Sequence, residues 1–403
     1  MVKISPLKPF LPNNPEEFCT NPYDIIGKEE EQQLKKIPHS LIHLILPDGK
    51  SDQKYRNAAK VYKQFQDNKI ITKEPLPSVF VYRQESDQFN QQGLIVGLAL
   101  KDYEKGNIIK HESTRKKPLY DRINHIISSN VSAGLVWTIF KANNDINYLV
   151  EQIKKKKPKF DFKKYNYRHL LWQETNPAII QQLIELFKKE KVFIADGHHR
   201  AASAAEYRKI KLKNSNTSEE SDVPWQYLLS YIASDDQIRI LSNSRVIRRL
   251  SIDAKEFLKK LEINFKVYPM KKAFNPKKKN QIALCLKGKW YKLINKEKKF
   301  NLMRDSLDVV IIQDKILTPI LGIIDPRADE NLFFLGGIQD PNEMENYITE
   351  KGNDLLINLF PVDIHDLEEI ATANGVMPPK STWFDPKLLS GLVLHDLTEK
   401  QKD

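Results

Sequence analysis

Hydrophobic and polar positions follow two different periods along this chain, which predicts helices and strands in mixed order. Short apolar runs with β-branched residues predict strands at Leu41–Leu46, Val79–Tyr82, Leu94–Leu100 and Gly134–Phe140. Apolar residues at helical spacing predict helices over Lys54–Phe65 and Pro118–Ile127. The first third of the chain is therefore expected to contain both kinds of element.

The clearest local pattern lies further along, between residues 176 and 209. Asn176, followed by proline, is a helix cap, and a helical apolar period continues from it to Lys189. Val192–Ala195 then predicts a short strand, Asp196–Gly197 a tight turn and His198–Lys209 an alanine-rich helix. A strand that passes through a turn into a helix aims backbone N–H groups at a bound anion.

The second half of the chain predicts further strands and helices. Two hairpins are expected, one from Tyr227–Ala233 with Gln237–Leu241 and one from Ile282–Lys287 with Trp290–Leu293. Apolar spacing predicts a long helix over Leu307–Leu321, and Asp363 is expected to cap another helix that Gly375 ends.

The composition is that of a globular protein, since 40% of the 403 residues are apolar and 29% are charged. No apolar run approaches the ~20 residues that span a bilayer, and Met1–Leu11 lacks the apolar core of a signal peptide. Cys19 and Cys285 are too few for a disulfide framework or a structural zinc site. We therefore expect a cytoplasmic protein without a membrane partner.

The net charge of +12 raises the question of a nucleic-acid partner. The lysines lie in short runs within polar stretches, and no aromatic residues are interleaved with them to stack on bases. We expect a solvated face and no nucleic acid, with a phosphate or nucleotide ligand as the alternative.

Asp196–Arg200 (sequence DGHHR) concentrates groups that bind phosphate. Arg200 can clamp a phosphate with two parallel hydrogen bonds, and His198 or His199 can donate to a further oxygen. Asp196 can hold Mg²⁺ against that phosphate, because this ion prefers few carboxylates and several waters. The residue types alone leave another interpretation equally open, in which Asp196 caps the helix and the histidines make local hydrogen bonds.

Two further segments carry candidate chemistry. His111–Thr114, with Lys117, Asp121 and Arg122 close behind, offers a carboxylate for base work beside hydroxyls and cations; a helix cap with exposed charges is the alternative. In Met377–Phe384 (sequence MPPKSTWF), two prolines stiffen a loop that presents Lys380, Ser381 and Thr382; a packing loop between domains is the alternative.

These segments, in this order, resemble the family catalogued as domain of unknown function 1015. Its sequences carry Pro-Tyr-Asp near the start, then His-Glu-x-Thr followed by Asp-Arg, then Asp-Gly-His-His-Arg and finally Met-Pro-Pro-Lys-Ser-Thr-Trp-Phe. Here these motifs are Pro22–Asp24, His111–Thr114 with Asp121–Arg122, Asp196–Arg200 and Met377–Phe384. The resemblance runs over nearly the whole chain.

The resemblance implies an α+β fold with a ParB/sulfiredoxin-like core. That core is expected at 106–235, between an N-terminal α+β region at 1–105 and a C-terminal α+β region at 236–396, with a frayed tail at 397–403. Within that superfamily the core is similar to free L-serine kinases, which phosphorylate serine with ADP or ATP. The resemblance therefore implies a kinase of free L-serine.

The same resemblance assigns roles to residues of this chain. Glu112 is implied as the catalytic base, with Asp196 and His199 also catalytic and Asp196 the Mg²⁺ ligand. Gly197, His198, His199, Arg200 and Thr114 are implied to bind the phosphates of the nucleotide. Lys380, Ser381 and Thr382 are expected to bind the substrate.

The sequence also bears on alternative functions. Family members often have Thr-His-Arg where this chain has Asn243, Ser244 and Arg245, so Arg245 is retained and the histidine, with any part in substrate binding that it has in the family, is not. Sulfiredoxin chemistry needs a cysteine in the turn, where this chain has His198, and no helix-turn-helix that would indicate DNA binding follows Arg200. A nucleotide- or amino-acid-binding sensor, or a kinase of another hydroxylated metabolite, is the principal alternative.

Overall fold

The structure is a computed structural model that describes residues 1–112, 114–215, 217–338, 340–373, 375, 377–378 and 380–399. The chain forms two compact units, Met1–Ile238 together with Pro386–Asp403, and Arg239–Asp385. The second unit is thus inserted into the chain of the first. Both contain helices and sheets, which confirms the α+β class. The ParB/sulfiredoxin-like core and the division at 105, 235 and 396 stay predictions.

The strands, in chain order, are β1 (Ile4–Ser5), β2 (Phe10–Pro12), β3 (Ile71–Lys73), β4 (Val79–Glu85), β5 (Asn90–Ala99), β6 (Ile108–Ile109), β7 (Val131–Ser132), β8 (Val136–Phe140), β9 (Phe160–Lys164), β10 (Tyr167–Glu174), β11 (Val192–Asp196), β12 (Tyr227–Ser234), β13 (Arg239–Leu241), β14 (Asn243–Ile247), β15 (Phe265–Met270), β16 (Gln281–Leu286), β17 (Lys289–Asn295), β18 (Leu332–Gly336), β19 (Leu355–Asn358), β20 (Trp383–Asp385) and β21 (His395–Asp396).

The helices are α1 (Pro15–Phe18), α2 (Lys28–Leu34), α3 (Ile42–Ile45), α4 (Asp52–Asp67), α5 (Leu100–Glu104), α6 (Lys116–Ser129), α7 (Asn144–Lys154), α8 (Pro177–Phe187), α9 (His198–Asn214), α10 (Ala254–Asn264), α11 (Asp308–Ile312), α12 (Thr318–Leu321), α13 (Pro341–Glu350) and α14 (Ile364–Thr372). Across the described part of the chain, no helix is both long enough and apolar enough to traverse a bilayer.

The first unit is built on a nine-stranded sheet of described residues, in the order β6-β11-β8-β12-β5-β4-β10-β9, with β1 also paired to β5. The strands run antiparallel, except that β6 is parallel to β11 and β8 is parallel to β12. Val136, Ile194 and Ile232 from its central strands pack into one core with Leu183 of α8 and Ala205 of α9. This packing fixes the end of β11 and the start of α9, where the DGHHR segment lies.

The second unit contains an antiparallel six-stranded sheet in the order β15-β17-β16-β19-β14-β18. The predicted hairpin around Gly288 is confirmed as β16 and β17, whose two-residue turn has positive φ at Lys287 (48°) and Gly288 (76°). The predicted cap of α14 is also confirmed, since the Asp363 side chain accepts a hydrogen bond from the His365 backbone N–H.

Two predicted elements were wrong. Leu41–Leu46 is not a strand but contains the short helix α3, whose Ile42, Leu44 and Ile45 are all buried; a short apolar run has no period that separates a strand from a buried helical turn. The predicted hairpin over Tyr227–Leu241 does not form, because β12 pairs with β5 and β8 while β13 pairs with β20. Asp235–Gln237 forms a 3₁₀ turn there.

The long helix predicted over Leu307–Leu321 is present but not regular. Its middle, Gln313–Leu317, is a π-helical turn between α11 and α12. Pro319 follows this turn, and proline lacks a backbone N–H and clashes with the carbonyl four residues before it. The wider π turn accommodates that missing hydrogen bond within an otherwise continuous helix.

Candidate functional site

Asp196 ends β11 next to an irregularity in the sheet. Ile194 pairs with Thr138 and Asp196 pairs with Trp137, although those partners are adjacent, so Ala195 is an extra residue on β11. Such a bulge bends the strand and re-aims the side chains at its end. Asp196 therefore leaves the regular inward and outward alternation of β11 and enters the turn.

Two glycines make room for the Arg200 side chain. Gly197 has φ of +96°, and a Cβ there would lie 3.0 Å from Arg200 Nε. A Cβ on Gly134 would lie 3.2 Å from Arg200 Cδ. Gly197 is thus required twice, for its left-handed backbone and for the guanidinium that packs against it.

Asp196 lies between two cations. Its Oδ2 is 3.5 Å from Arg200 Nη2 and 3.5 Å from Lys387 Nζ. Arg200 also donates from Nη1 to the carbonyl of Leu135, which fixes the guanidinium against the sheet. The side chains of Arg200 and Lys387 are only 14% and 13% exposed, so their charges are poorly screened by water. Two cations beside one carboxylate leave a net positive position that favours an anion.

Lys387 is a residue that the sequence analysis missed. Two buried glutamines hold its segment: Gln84 Nε2 donates to the Lys387 carbonyl at 3.0 Å, and Gln91 Nε2 donates to the Pro386 carbonyl at 3.2 Å. Gln91 Nε2 also donates to Gln84 Oε1 at 2.7 Å, and the two residues are register partners across β4 and β5. Each is 1% exposed. In the sequence, the two glutamines within otherwise apolar strands were the signal that could have indicated a buried polar contact at this point.

His111 and His198 are buried on one side of the site. The rings of His111 and His198 meet edge to face, with 4.5 Å between their centroids. Burial lowers the pKa of His111 to about 4, and burial together with neighbouring His111 lowers the pKa of His198 well below its ordinary value. Both rings are therefore neutral at pH 7.

The neutral state of His198 has a defined tautomer. Its Nε2 accepts a 3.5 Å hydrogen bond from the backbone N–H of His111, which assigns the ring proton to Nδ1. Nδ1 lies 3.8 Å from Glu112 Oε2. The predicted base Glu112 thus lies beside the DGHHR turn, and His198 turns its N–H edge towards the carboxylate.

His199 holds the other end of the same segment. Its Nε2 accepts a 3.1 Å hydrogen bond from the backbone N–H of Arg115, the residue that precedes α6. Thr114, which stands between Glu112 and Arg115 in the sequence, is half-buried, and Ser113 lies outside the described residues. The start of α9 therefore binds the backbone on both sides of Glu112 and Thr114.

The Pro22–Asp24 and Asp121–Arg122 motifs also come together. The Arg122 guanidinium lies 4.3 Å from the centre of the Tyr23 ring. Burial alone would raise the pKa of Asp121, but hydrogen bonds from Lys54 and Arg122 lower it to about 2. Burial and Asp24 raise the pKa of Tyr23 while Arg122 and Arg200 oppose the rise, so Tyr23 is within electrostatic reach of the turn.

The predicted substrate residues Lys380, Ser381 and Thr382 belong to the second unit. Ser381 is buried and donates from its hydroxyl to the Pro378 carbonyl at 2.6 Å, whereas Lys380 is exposed. Pro379, within the same predicted loop, is outside the described residues. The residues that the structure brings together are those of the first unit.

The described carboxylates and histidines of the site do not form a complete metal-binding cage. Among the described residues, no group of three or more His, Cys, Asp or Glu side chains is arranged to hold a metal. Asp196 nevertheless supplies one half-buried carboxylate at the anion position. This arrangement fits Mg²⁺ carried on phosphate oxygens, which needs one or two carboxylates and keeps several waters, and does not fit an all-protein metal cage.

Comparisons with solved structures give distant similarities. A mutant of a free serine kinase in complex with ADP is 14% identical with a TM-score of 0.37, covering 72% of this chain and 87% of that chain. A conserved hypothetical protein from Pyrococcus furiosus is 15% identical with a TM-score of 0.37, covering 75% and 97%. A C-terminally truncated SbnI from Staphylococcus aureus is 8% identical with a TM-score of 0.37, covering 73% and 85%.

No curated protein matches the chain. The model of the family described as "Protein of unknown function (DUF1015)" matches residues 4–310, which is more than half of the chain and includes three of the four motifs. The chain belongs to the DUF1015 family.

Proposed function

We propose that this protein is a small-molecule kinase that transfers a phosphoryl group from ADP or ATP to the hydroxyl of free L-serine, giving O-phospho-L-serine. The observation that carries the proposal is the position of Arg200 and Lys387, each 3.5 Å from Asp196 Oδ2. The same turn carries His198, whose Nδ1 lies 3.8 Å from the Glu112 carboxylate. Phosphoryl transfer requires charge neutralisation, positioning and a base near the acceptor hydroxyl, and little covalent chemistry from the protein.

The charged side of the site neutralises the transferred group. Arg200 and Lys387 face the phosphates together with the N-terminus of α9, whose first backbone N–H groups and helix dipole favour an anion. Mg²⁺ on the nucleotide, with Asp196 as its protein ligand, would add further neutralising charge when bound. Thr114 and His199 are also assigned to the phosphates, on the strength of the sequence resemblance.

Glu112 is the proposed base. A carboxylate accepts the proton of the serine hydroxyl only while it is ionised, and the neutral His198 edge turned towards Glu112 presents an N–H to that charged form. Lys380, Ser381 and Thr382 are proposed to bind the amino-acid part of the substrate, on the strength of their place in the proline-stiffened MPPKSTWF loop alone.

The test is direct detection of the product. Purified full-length protein is mixed with Mg²⁺, L-serine and either ADP or ATP, and O-phosphoserine is measured by mass spectrometry. The Glu112→Gln and Asp196→Asn variants are expected to lose the product, while Glu206→Gln, which changes a half-exposed carboxylate on α9, is the matched control. The nucleotide that yields product identifies the donor.

A folded protein that binds nucleotide but yields no O-phosphoserine with either donor contradicts the proposal. Product with another hydroxylated metabolite would keep the kinase and change its acceptor. Nucleotide binding without any product would favour the sensor.

A further inference from the structure

The second unit buries an arginine without a counter-ion. Arg245 of β14 is 3% exposed, and none of the carboxylates in the described ranges forms an ion pair with it. Its guanidinium donates to two backbone carbonyls, that of Asn243 and that of Lys380 (3.3 Å), and lies 5.3 Å from the centre of the Phe334 ring. Burial lowers the pKa of Arg245 to about 9. A buried charge with only neutral partners is costly, and most native proteins pair such a charge.

A second uncompensated group lies next to it. Asn243 is two residues earlier on β14, so both side chains are on the same face of the strand. Asn243 is 2% exposed, and neither its Oδ1 nor its Nδ2 has a hydrogen-bond partner within the described chain. A buried amide left unpaired destabilises the folded protein, because it has lost its hydrogen bonds to water.

On the opposite face of β14, the buried polar side chain has a hydrogen-bond partner. Ser244 is fully buried there, and its hydroxyl donates to Asn358 Oδ1 at 2.9 Å. Asn358 Nδ2 in turn donates to Asn275 Oδ1 at 2.8 Å. The polar side chains on that face are thus linked by hydrogen bonds. On the other face, Arg245 has only backbone carbonyls as partners and the Asn243 amide has none among the described residues.

The surroundings of the Asn243 face are aromatic. Gly336 pairs with Asn243 in the β14–β18 ladder, and the Trp383 ring packs so closely on Gly336 that a Cβ there would be 2.1 Å from Trp383 Cε3. Phe334 pairs with Arg245 in the same ladder. A cation and an amide flanked by rings suit a small oxyanion, because a guanidinium matches a carboxylate or phosphate with two parallel hydrogen bonds.

We propose that Arg245 and Asn243 form a binding site in the second unit for a small oxyanion, either the carboxylate of a free amino acid or inorganic phosphate. The anion accepts hydrogen bonds from the Arg245 guanidinium and from Asn243 Nδ2, and so satisfies the two groups that the protein itself leaves incomplete. No residue of the DGHHR turn takes part in this site, so its test measures binding without relying on the catalytic residues proposed above.

Thermal unfolding of the full-length protein tests the site. The measurements are made in an Arg200→Met background, which removes the anion clamp of the first unit. Inorganic phosphate and L-serine are titrated separately, and the arm that gives a saturable rise identifies the source of the oxyanion. A rise of about 5 °C in the midpoint is expected at saturation.

Two variants and a control make the result specific. Asn243→Leu replaces an unpaired amide with an apolar group of similar size, so we expect an equal or higher midpoint without anion and no rise with it. Arg245→Lys keeps the charge but loses the planar fork, and the rise is expected to fall by more than half. Ser244→Ala, on the opposite face, lowers the starting midpoint and keeps the rise. A rise that survives Asn243→Leu, or a midpoint that neither anion moves, overturns the proposal.

Discussion

The two sides of the site in the first unit solve opposite electrostatic problems. On one side His111 and His198 are buried against each other and are neutral, because burial lowers both pKa values. On the other side Asp196 lies between Arg200 and Lys387, and all three keep contact with solvent. The neutral side fixes the backbone around Glu112, and the charged side provides the anion position. Neutral side chains therefore position the Glu112 segment, and charged side chains elsewhere in the site attract the anion.

The largest expected effect is on the charged side. Arg200→Met removes the clamp that Gly134 and Gly197 make room for, and loss of one such contact in a transition state costs about 10²–10³ in rate. The rate of O-phosphoserine formation measures it, with Arg168→Met, a half-exposed arginine on β10, as the control. An unchanged rate in Arg200→Met would show that the guanidinium does not touch the transferred group.

The neutral side is expected to fail first in acid. The pKa of His111 is about 4 in the folded protein and 6.5 in the unfolded chain, so the unfolded chain binds more protons between these values. The contribution of His111 to the free energy of unfolding is therefore fully present above pH 6.5. It decreases by about 3 kcal/mol as the pH falls to 4. His198 acts in the same direction. By contrast, the pKa of about 2 at Asp121 confines its contribution to the region below pH 4.

Urea unfolding at several pH values measures this difference. His111→Phe keeps an aromatic edge against His198 and removes one titrating group, so its stability is expected to vary less between pH 6.5 and 4. A variant whose stability retains the same pH dependence would assign the acid sensitivity to other buried histidines, such as His125.

A smaller effect is expected from the glutamine pair behind Lys387. Gln84→Leu removes the hydrogen bond to the Lys387 carbonyl and the one that Gln91 donates to Gln84, which should cost about 2 kcal/mol of stability. The Gln84→Leu, Gln91→Leu double variant is expected to cost less than twice the single change, because the two amides serve each other. Urea unfolding of both single variants and the double variant measures this coupling, and strict additivity would contradict it.

The smallest effect is expected from Lys387 itself. Lys387→Met is expected to weaken nucleotide binding about tenfold, equivalent to about 1.4 kcal/mol, because one charge-assisted contact is lost while Arg200 remains. Lys387→Arg should restore most of the affinity. Calorimetric titration with ADP checks both, and equal affinities for all three proteins would place Lys387 outside the nucleotide contacts.

Local sequence patterns predicted the elements around the turn well. The cap at Asn176, the strand before Asp196 and the helix after Gly197 depend on neighbouring residues, and the structure confirms them. The strand predicted at Leu41–Leu46 was wrong because tertiary burial, not period, decides so short a run.

Long-range features of the site were not accessible in the same way. The contact of Lys387 with Asp196 depends on how the chain returns after the second unit, and the extra residue Ala195 depends on pairing with β8. The neutral state of His111 and His198 depends on burial that the sequence does not display. The catalytic and binding roles of the candidate residues stay predictions.

The late position of Lys387 in the chain has a consequence for synthesis. The turn with Asp196 and Arg200 emerges from the ribosome about 190 residues before Lys387 does. At the ordinary pace of translation this delay is about 10–40 s. A nascent chain that ends before Pro386 already holds the first arginine clamp but lacks its second cation, and the strand β21 that pairs with β7. The anion position is therefore completed only after the whole second unit has been made, so nascent chains that end before Lys387 lack its second cation.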